Sequence, residues 1–198
     1  MKSGLAAMLC AFRMAAQRKD SPKGDIYLAL TADEETSGLG AETIAAELPL
    51  QGGIIYIAEP TDNAVGICSK GALWIRLRVQ GRTAHGAYPE KGINAVDVAY
   101  EAYTNIRRYV EAFHHTLLGH ATCTISGISG GIKENMVADQ CMMTLDIRTT
   151  PNLSNKDVLQ QGKRICDEVC AVHTGAVIHL DVLNDRSPVN YQDRKSVV

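Results

Sequence analysis

Residues 73–79 are Leu-Trp-Ile-Arg-Leu-Arg-Val, and this stretch alternates between two sets of side chains. Successive side chains of a β-strand point to opposite faces, so a period of two indicates a strand with one buried face. Leucine, isoleucine and valine occupy one side, while Arg76 and Arg78 share the other. The pattern therefore predicts a half-exposed strand that lies on the surface of a sheet.

The segments that follow residues 73–79 continue the same domain. Their periodicities predict, in order, a helix, two strands, a second helix and a last strand: Ile93–Val110, Ala121–Ile128, Val137–Ile147, Val158–Val172 and Val177–Leu183. Gly130-Gly131 is expected to turn the two middle strands into a hairpin, and Ser154 is expected to cap the second helix. The order strand-helix-strand-strand-helix-strand is that of a ferredoxin-like domain, here over residues 70–183.

The first third of the chain has a different organisation. A helix is predicted over Lys2–Arg18, a buried strand over Ile26–Ala32, a helix over Ala41–Leu48 and a second strand over Ile54–Ala58. Helices that alternate with apolar strands are typical of a parallel α/β sheet. We therefore predict a partial α/β domain over residues 1–69, and a polar tail over 184–198 that returns towards it.

Composition limits the classes of partner. The 198 residues are 45% hydrophobic and 21% charged, with a formal net charge of −2, which gives no electrostatic reason to expect nucleic acid or an anionic membrane. The apolar runs are too short to cross a bilayer, and the N-terminus lacks signal-peptide features. The expected location is the cytoplasm, with reduced cysteines: Cys10, Cys68, Cys123 and Cys141 as core residues, and Cys166 and Cys170 as thiols on one helix face.

Carboxylates follow both predicted strands of the first domain. Asp33, Glu34 and Glu35 come directly after Ile26–Ala32, and Glu59 follows the next strand. Active sites of open α/β sheets lie beyond the carboxyl ends of strands, so these side chains could share a metal site. The plain alternative is that the acids only begin the next helix, where they favour its dipole, and that Glu59 is a solvated loop residue.

Five blocks of this sequence occur in an order and at a spacing that chance explains poorly. The first three blocks are Met1-Lys2-Ser3-Gly4-Leu5-Ala6-Ala7, Thr31-Ala32-Asp33-Glu34-Glu35 and Ala58-Glu59-Pro60-Thr61. The fourth is Gly81-Arg82-Thr83-Ala84-His85-Gly86-Ala87-Tyr88-Pro89-Glu90-Lys91-Gly92-Ile93-Asn94-Ala95-Val96. The fifth joins Gly130-Gly131 to Glu134-Asn135-Met136-Val137 and Leu145-Asp146-Ile147-Arg148. Together these blocks resemble the acetylornithine deacetylase and succinyl-diaminopimelate desuccinylase family of two-zinc amidohydrolases.

The resemblance implies a fold and roles for individual residues. It implies a partial zinc-hydrolase α/β domain with an inserted dimerisation and lid domain, acting as a homodimer on an N-acyl amino acid or small peptide. Glu34 matches the general base, and Glu35 and Glu59 match ligands of the two zinc ions, which cobalt or manganese may replace. His85 matches the histidine that reaches the partner subunit's site and stabilises the oxyanion there. Asn135 and Arg148 match positions near the substrate.

Other interpretations stay open at the level of sequence. The family's upstream His-x-Asp, its bridging aspartate and its C-terminal histidine have no counterpart in these residues, so we expect an inactive fragment that is truncated at both ends. A non-catalytic dimerisation module and a dipeptidase or carboxypeptidase specificity are the alternatives. Arg148 could be a plain strand residue and His85 a surface one. The remaining histidines, at 114, 115, 120, 173 and 179, match no family position.

Overall fold

The computed structural model describes residues 2–20, 23–34, 38–48, 54–62 and 64–190. It divides into two compact units, Met1–Val65 and Gly66–Val198. The first unit contains helices α1 (Lys2–Ala16) and α2 (Leu39–Glu47). Within its described residues, the second contains two further α-helices, a short 3-10 helix (Pro89–Lys91) and eight strands. In chain order the α-helices and strands are β1 (Cys68–Ser69), β2 (Ala72–Gln80), α3 (Ala95–Glu111), β3 (His114–His115), β4 (Gly119–His120), β5 (Thr122–Gly130), β6 (Gln140–Arg148), α4 (Asn155–Val172), β7 (Val177–Arg186) and β8 (Val189–Asn190).

The second unit is the ferredoxin-like domain that the sequence predicted. Its main sheet has the order β5-β6-β2-β7, and every neighbouring pair is antiparallel. Both long helices pack on one another and on the sheet. The predicted α/β fold class is therefore confirmed for this unit, and Ser154 caps α4 as expected, since its hydroxyl oxygen accepts a hydrogen bond from the Asp157 N–H at 3.1 Å.

The core explains the alternation seen at residues 73–79. Leu73, Ile75, Leu77 and Val79 are at most 3% exposed, while Trp74 on the opposite face is 38% exposed. The buried side chains of β2 belong to the same cluster as those on the inner faces of α3 and α4, which include Val98, Ala102, Ile106, Val158, Ile165 and Val169. Full burial of one such aliphatic side chain contributes about 1.5–3 kcal/mol. The sheet and its two helices therefore hold one another in place.

The connection between β5 and β6 differs from the predicted tight hairpin turn. The two strands pair antiparallel with Gly130 opposite Cys141, but residues 131–139 form a longer loop between them. Gly131 has a φ of +80°, which only glycine adopts without strain, and it turns the chain out of β5. The expected strand start at Val137 is wrong because the Val137 N–H donates to the Ala84 carbonyl instead of to β5.

The first unit forms its predicted helices but not its predicted strands. Among the described residues, no strand pairs with residues 26–32 or 54–58. Their apolar side chains are exposed to solvent, with Ile55 68% and Tyr56 76% exposed. A β-strand is stable only when its backbone groups pair with a neighbour. Every buried residue in the part of the chain that the structure describes lies in the second unit.

The polar segment from Asn184 is more regular than its sequence predicted. Strand β7 pairs with β2 as far as the Ala72–Arg186 position, and β8 then pairs with β1. The Asn184 side chain donates a 2.7 Å hydrogen bond to the Ala72 carbonyl, which holds this end of β7. Residues 184–190 therefore complete the second unit. A return of the chain towards the first domain after them stays a prediction.

None of the helices in the described ranges is long and apolar enough to cross a membrane, and the cytoplasmic location stays a prediction.

Cys123, Cys141 and Cys166 are buried and Cys170 is half-buried, whereas Cys10 is exposed on α1. The expectation that Cys10 is a core residue is therefore wrong, because α1 buries none of its described residues.

Candidate active site

His85 lies in the loop that connects β2 to α3, and backbone hydrogen bonds close this loop at its base. The Arg82 N–H donates to the Ile93 carbonyl at 3.0 Å, and the Ile93 N–H donates back to Arg82 at 2.8 Å. Asn94 then caps α3, since its side-chain oxygen accepts from the Val96 N–H at 3.0 Å. The loop is thereby held at the point where the helix begins.

The His85 loop also pairs with the loop that contains Asn135. The Gly86 N–H donates to the Asn135 carbonyl at 2.8 Å, and the Val137 N–H donates to the Ala84 carbonyl at 2.9 Å. These bonds form an antiparallel bridge between His85 and Met136. A Cβ atom on Gly86 would lie only 3.2 Å from the Asn135 oxygen, so the glycine permits the close approach. Two of the predicted site residues thus share one end of the domain.

The hydrogen bond of the His85 ring fixes what the ring can do chemically. Its Nδ1 accepts the Ala87 N–H at 3.1 Å, and a nitrogen that accepts must carry a lone pair. In the neutral imidazole the proton is therefore on Nε2, which becomes a donor. The His85 side chain is exposed. This arrangement suits a group that donates a hydrogen bond to an incoming negatively charged oxygen.

Two side chains beside His85 were given no role from the sequence. The Tyr88 ring lies with its centre 6.3 Å from that of His85, and Lys91 Nζ sits 4.6 Å above the tyrosine ring. The Tyr88 N–H donates to the His85 carbonyl at 2.8 Å, which makes a turn that brings position 88 back towards position 85. The sequence contains one signal for this contact: His85 and Tyr88 are three residues apart with Gly86 between them, which permits a turn.

Arg148 is not brought together with His85 and Asn135. It ends β6 on the side away from the 131–139 loop, roughly 26 Å from Gln140 at about 3.3 Å per residue. Its guanidinium forms an ion pair with Asp146 at 2.9 Å and donates one hydrogen bond to that carboxylate at 3.1 Å. The Trp74 indole N–H donates to the same carboxylate at 3.0 Å. A role for Arg148 near the substrate stays a prediction.

In the first unit, the residues directly before the predicted site carboxylates pack closely against the start of a helix. Glu34 occupies a turn that is closed by the Gly38 N–H, which donates to the Asp33 carbonyl at 2.8 Å. A Cβ atom on Gly40 would lie 2.5 Å from the Ala32 oxygen, so the start of α2 is packed tightly on the residue before this turn. Glu34 is exposed, and the predicted ligand Glu35 lies outside the described residues.

Glu59 has a similar setting at the start of α1. A Cβ atom on Gly4 would lie 3.0 Å from the Ala58 side chain, so the first turn of α1 meets the residue before Glu59. The Glu59 carbonyl accepts the Thr61 N–H at 2.9 Å, which turns the chain directly after the predicted ligand. Glu59 is exposed, with its carboxylate accessible.

These residues fit a metal ion in chemistry but do not form a complete centre. Carboxylate oxygens are ordinary zinc ligands, yet catalytic zinc sites usually hold about three protein ligands. Among the residues that the structure describes, no three histidine, cysteine or acidic side chains are gathered in a way that could hold a metal. We therefore derive no catalytic step through a metal from this geometry.

Comparison with known proteins identifies the family to which the ferredoxin-like unit and its paired loops belong. Residues 67–174 match the M20 peptidase dimerisation domain, so the chain belongs to that family. The chain is 31% identical over 139 residues to the acetylornithine deacetylase of Proteus mirabilis, a match that covers 67% of this chain and 36% of that protein. Identity to the Yersinia pestis enzyme is 30% over 165 residues, covering 80% and 42%. The resemblance inferred from the sequence blocks is thereby confirmed.

Solved structures support the fold at lower sequence identity. A tripeptidase from Staphylococcus aureus is similar with a TM-score of 0.52 and 19% identity, over 66% of this chain and 33% of that one. A hydantoinase/carbamoylase family amidase from Burkholderia ambifaria gives 0.51 and 18%, over 63% and 30%. The chain spans about two fifths of the length of the curated relatives that it matches. The activity of the whole protein is accordingly a matter for proposal.

Proposed function

We propose that the protein hydrolyses the amide bond of an N-acyl amino acid or small peptide-like substrate. The matched relatives named acetylornithine deacetylase support this class of reaction. The observation that carries the proposal is the pairing of the His85 loop with the Asn135 loop, through the 2.8 Å bond from Gly86 to Asn135. It presents a hydrogen-bond donor and an amide side chain at one end of the domain.

Glu34 is proposed as the general base. It takes a proton from the attacking water while the water oxygen bonds to the carbonyl carbon, and it passes that proton to the nitrogen when the C–N bond breaks. Nε2–H of His85 donates to the oxygen of the tetrahedral intermediate. Glu35 and Glu59 are the proposed protein ligands of two zinc ions, which when bound would polarise the carbonyl and acidify the water.

The working unit in this proposal is a homodimer. The matched domain is described as a peptidase dimerisation domain, which supports self-association. Helix α3 and an edge strand of the sheet are the proposed contact, because a two-fold interface uses the same patch on both subunits. His85 of each protomer would then serve the partner subunit's site.

The test compares two neighbouring carboxylates in the zinc-loaded protein that carries this chain. Glu34→Gln keeps the size of the side chain but cannot accept a proton, so hydrolysis should fall by about 10²–10⁴-fold with metal content unchanged. Glu35→Gln removes a ligand charge and should lower zinc content instead. The assay uses N-acetylornithine and N-succinyl-diaminopimelate, with elemental analysis of each variant.

Two outcomes would contradict the assignment. Equal loss of zinc from both variants would mean that the base and the ligand are assigned wrongly. A wild-type protein that binds zinc at both sites but hydrolyses neither substrate nor a panel of dipeptides would favour a non-catalytic dimerisation module.

A further inference from the structure

Two histidines face each other across the short hairpin that follows α3. His114 of β3 pairs directly with His120 of β4, and Gly119 has a φ of +71° that lets the chain return between them. Their ring centres are 4.7 Å apart and the ring planes are inclined by 68°. Both residues are exposed, so the pair is accessible from solvent.

The hydrogen bonding of His120 leaves one ring nitrogen ready to bind a metal. Nδ1 of His120 lies 3.1 Å from the Glu111 carbonyl oxygen, which can only accept, so the proton is on Nδ1. The neutral ring then carries its lone pair on Nε2. Histidine ligands of metal ions have this arrangement, in which the second ring N–H donates to a carbonyl or carboxylate.

His115, the second residue of β3, is arranged in the opposite way. Its Nδ1 accepts the Leu117 N–H at 3.3 Å, so this nitrogen is occupied and the proton of the neutral ring is on Nε2. The pairing of β3 and β4 sets His115 opposite Gly119, which has no side chain to act with it. His115 therefore offers a matched control within the same hairpin.

The backbone of the histidine pair is fixed from outside the hairpin. The Asn152 side chain donates to the His114 carbonyl at 3.1 Å, and Lys70 Nζ donates to the His120 carbonyl at 2.5 Å. The Ala121 N–H donates to the Phe113 carbonyl at 3.0 Å and closes the base. Binding at a fixed pair avoids part of the entropy cost of ordering two free side chains.

We propose that His114 and His120 form a surface site for a divalent late transition metal such as Ni²⁺, Cu²⁺ or Zn²⁺. Imidazole is a preferred ligand of these ions. With metal–nitrogen bonds of about 2.0–2.1 Å, two imidazoles on one ion have ring centres roughly 4.5–5.2 Å apart. The observed 4.7 Å falls in this range.

Water completes the coordination at this site. No cluster of three potential ligand side chains occurs within the described ranges, and the nearby Glu111 carboxylate is held by Arg107 Nε at 2.8 Å. The site is separate in sequence from Glu34, Glu35 and Glu59, and its existence does not depend on the proposed hydrolysis. Two imidazoles and several waters make an exchangeable site for a metal ion.

The experiment is a calorimetric titration of the full chain with Ni²⁺ at pH 7.5, repeated with His114→Ala, His120→Ala and His115→Ala. Loss of either paired ligand should weaken the Ni²⁺ affinity by at least about 10–100-fold, because loss of a residue that only supports a ligand already costs this much. His115→Ala should bind as wild type does.

Proton NMR of the histidine rings makes the test independent of other metal sites in the chain. Paramagnetic Ni²⁺ should broaden the imidazole proton signals of His114 and His120 first, and those of His173 and His179 only at higher concentration. The isosteric variants His114→Asn and His120→Asn, checked for native thermal unfolding, exclude a folding effect. Unchanged Ni²⁺ affinity in both paired variants, or equal broadening of all six histidines, would overturn the proposal.

Discussion

At the scale of single residues, the cysteines show how burial sets reactivity. Burial raises the pKa of Cys123 and Cys166 to about 12 and also raises that of Cys141, whereas Cys10 is exposed. Only the thiolate attacks an alkylating reagent. At pH 8 we therefore expect iodoacetamide to modify Cys10 well before these three, as mapped by mass spectrometry over time. Early labelling of Cys123 or Cys166 in the folded protein would show that the core opens.

The cysteines also show why sequence alone placed some residues correctly and others not. Cys123 and Cys141 lie in strands whose alternation defines an inner face, so their burial was predictable. Cys10 lies in an equally apolar helix, yet α1 buries none of its described residues. Burial depends on the element that packs against a helix face. The sequence of α1 contains no information on whether such an element is present.

At the scale of elements, the start of α4 depends on a buried polar network. Thr149 is 0% exposed and its hydroxyl donates to the Asn155 side-chain oxygen at 2.6 Å. The Asn155 NH₂ group donates to Asp185 at 2.7 Å and to the Arg186 carbonyl at 3.1 Å. One amide thus connects the end of β6, the start of α4 and the end of β7.

We expect Asn155→Ala to lower the free energy of unfolding by about 1–3 kcal/mol, because it removes the hydrogen-bond acceptor of the buried Thr149 hydroxyl. Urea unfolding of the variant measures the change. Lys156→Ala is the matched control, since it alters the next residue of the same helical turn, which is exposed. A similar loss in both variants would show that the effect does not come from the network, since alanine itself favours the helix.

Elements were predictable from the sequence where the chain itself supplies the partner. The alternation of β2 and the periodicity of α3 and α4 predicted these elements because the sheet and helices bury one another within the same unit. The runs 26–32 and 54–58 are as apolar, but the described residues offer them no strand to pair with. The candidate site was predictable to the same extent. The His85 motif indicated a functional loop, but the pairing of this loop with the Asn135 loop was not predictable, because it joins segments far apart in sequence.

At the scale of the whole molecule, the proposed dimer takes the general base and the oxyanion donor of each site from different subunits. Each of the two groups can therefore be removed separately. Glu34 belongs to the first unit and His85 to the second. In the proposal each site combines Glu34 of one protomer with His85 of the other. Glu34→Gln and His85→Ala should each inactivate the homodimer, by about 10²–10⁴-fold and about 10²–10³-fold respectively.

Mixing the two inactive variants then distinguishes a shared site from a self-contained one. In a heterodimer with a shared site, one site carries both defects and the other combines the intact Glu34 of one subunit with the intact His85 of its partner. Random re-association of equal amounts gives heterodimers in about half of all dimers, so activity should recover to roughly a quarter of wild type. If Glu34 and His85 of the same chain worked together, every site would keep one defect and the mixture would stay inactive. The measurement is hydrolysis of N-acetylornithine by the zinc-loaded protein that carries this chain, after the two variants are unfolded together and refolded. Each variant refolded alone is the control. No recovery in a mixture that sedimentation shows to contain dimers would refute the shared site.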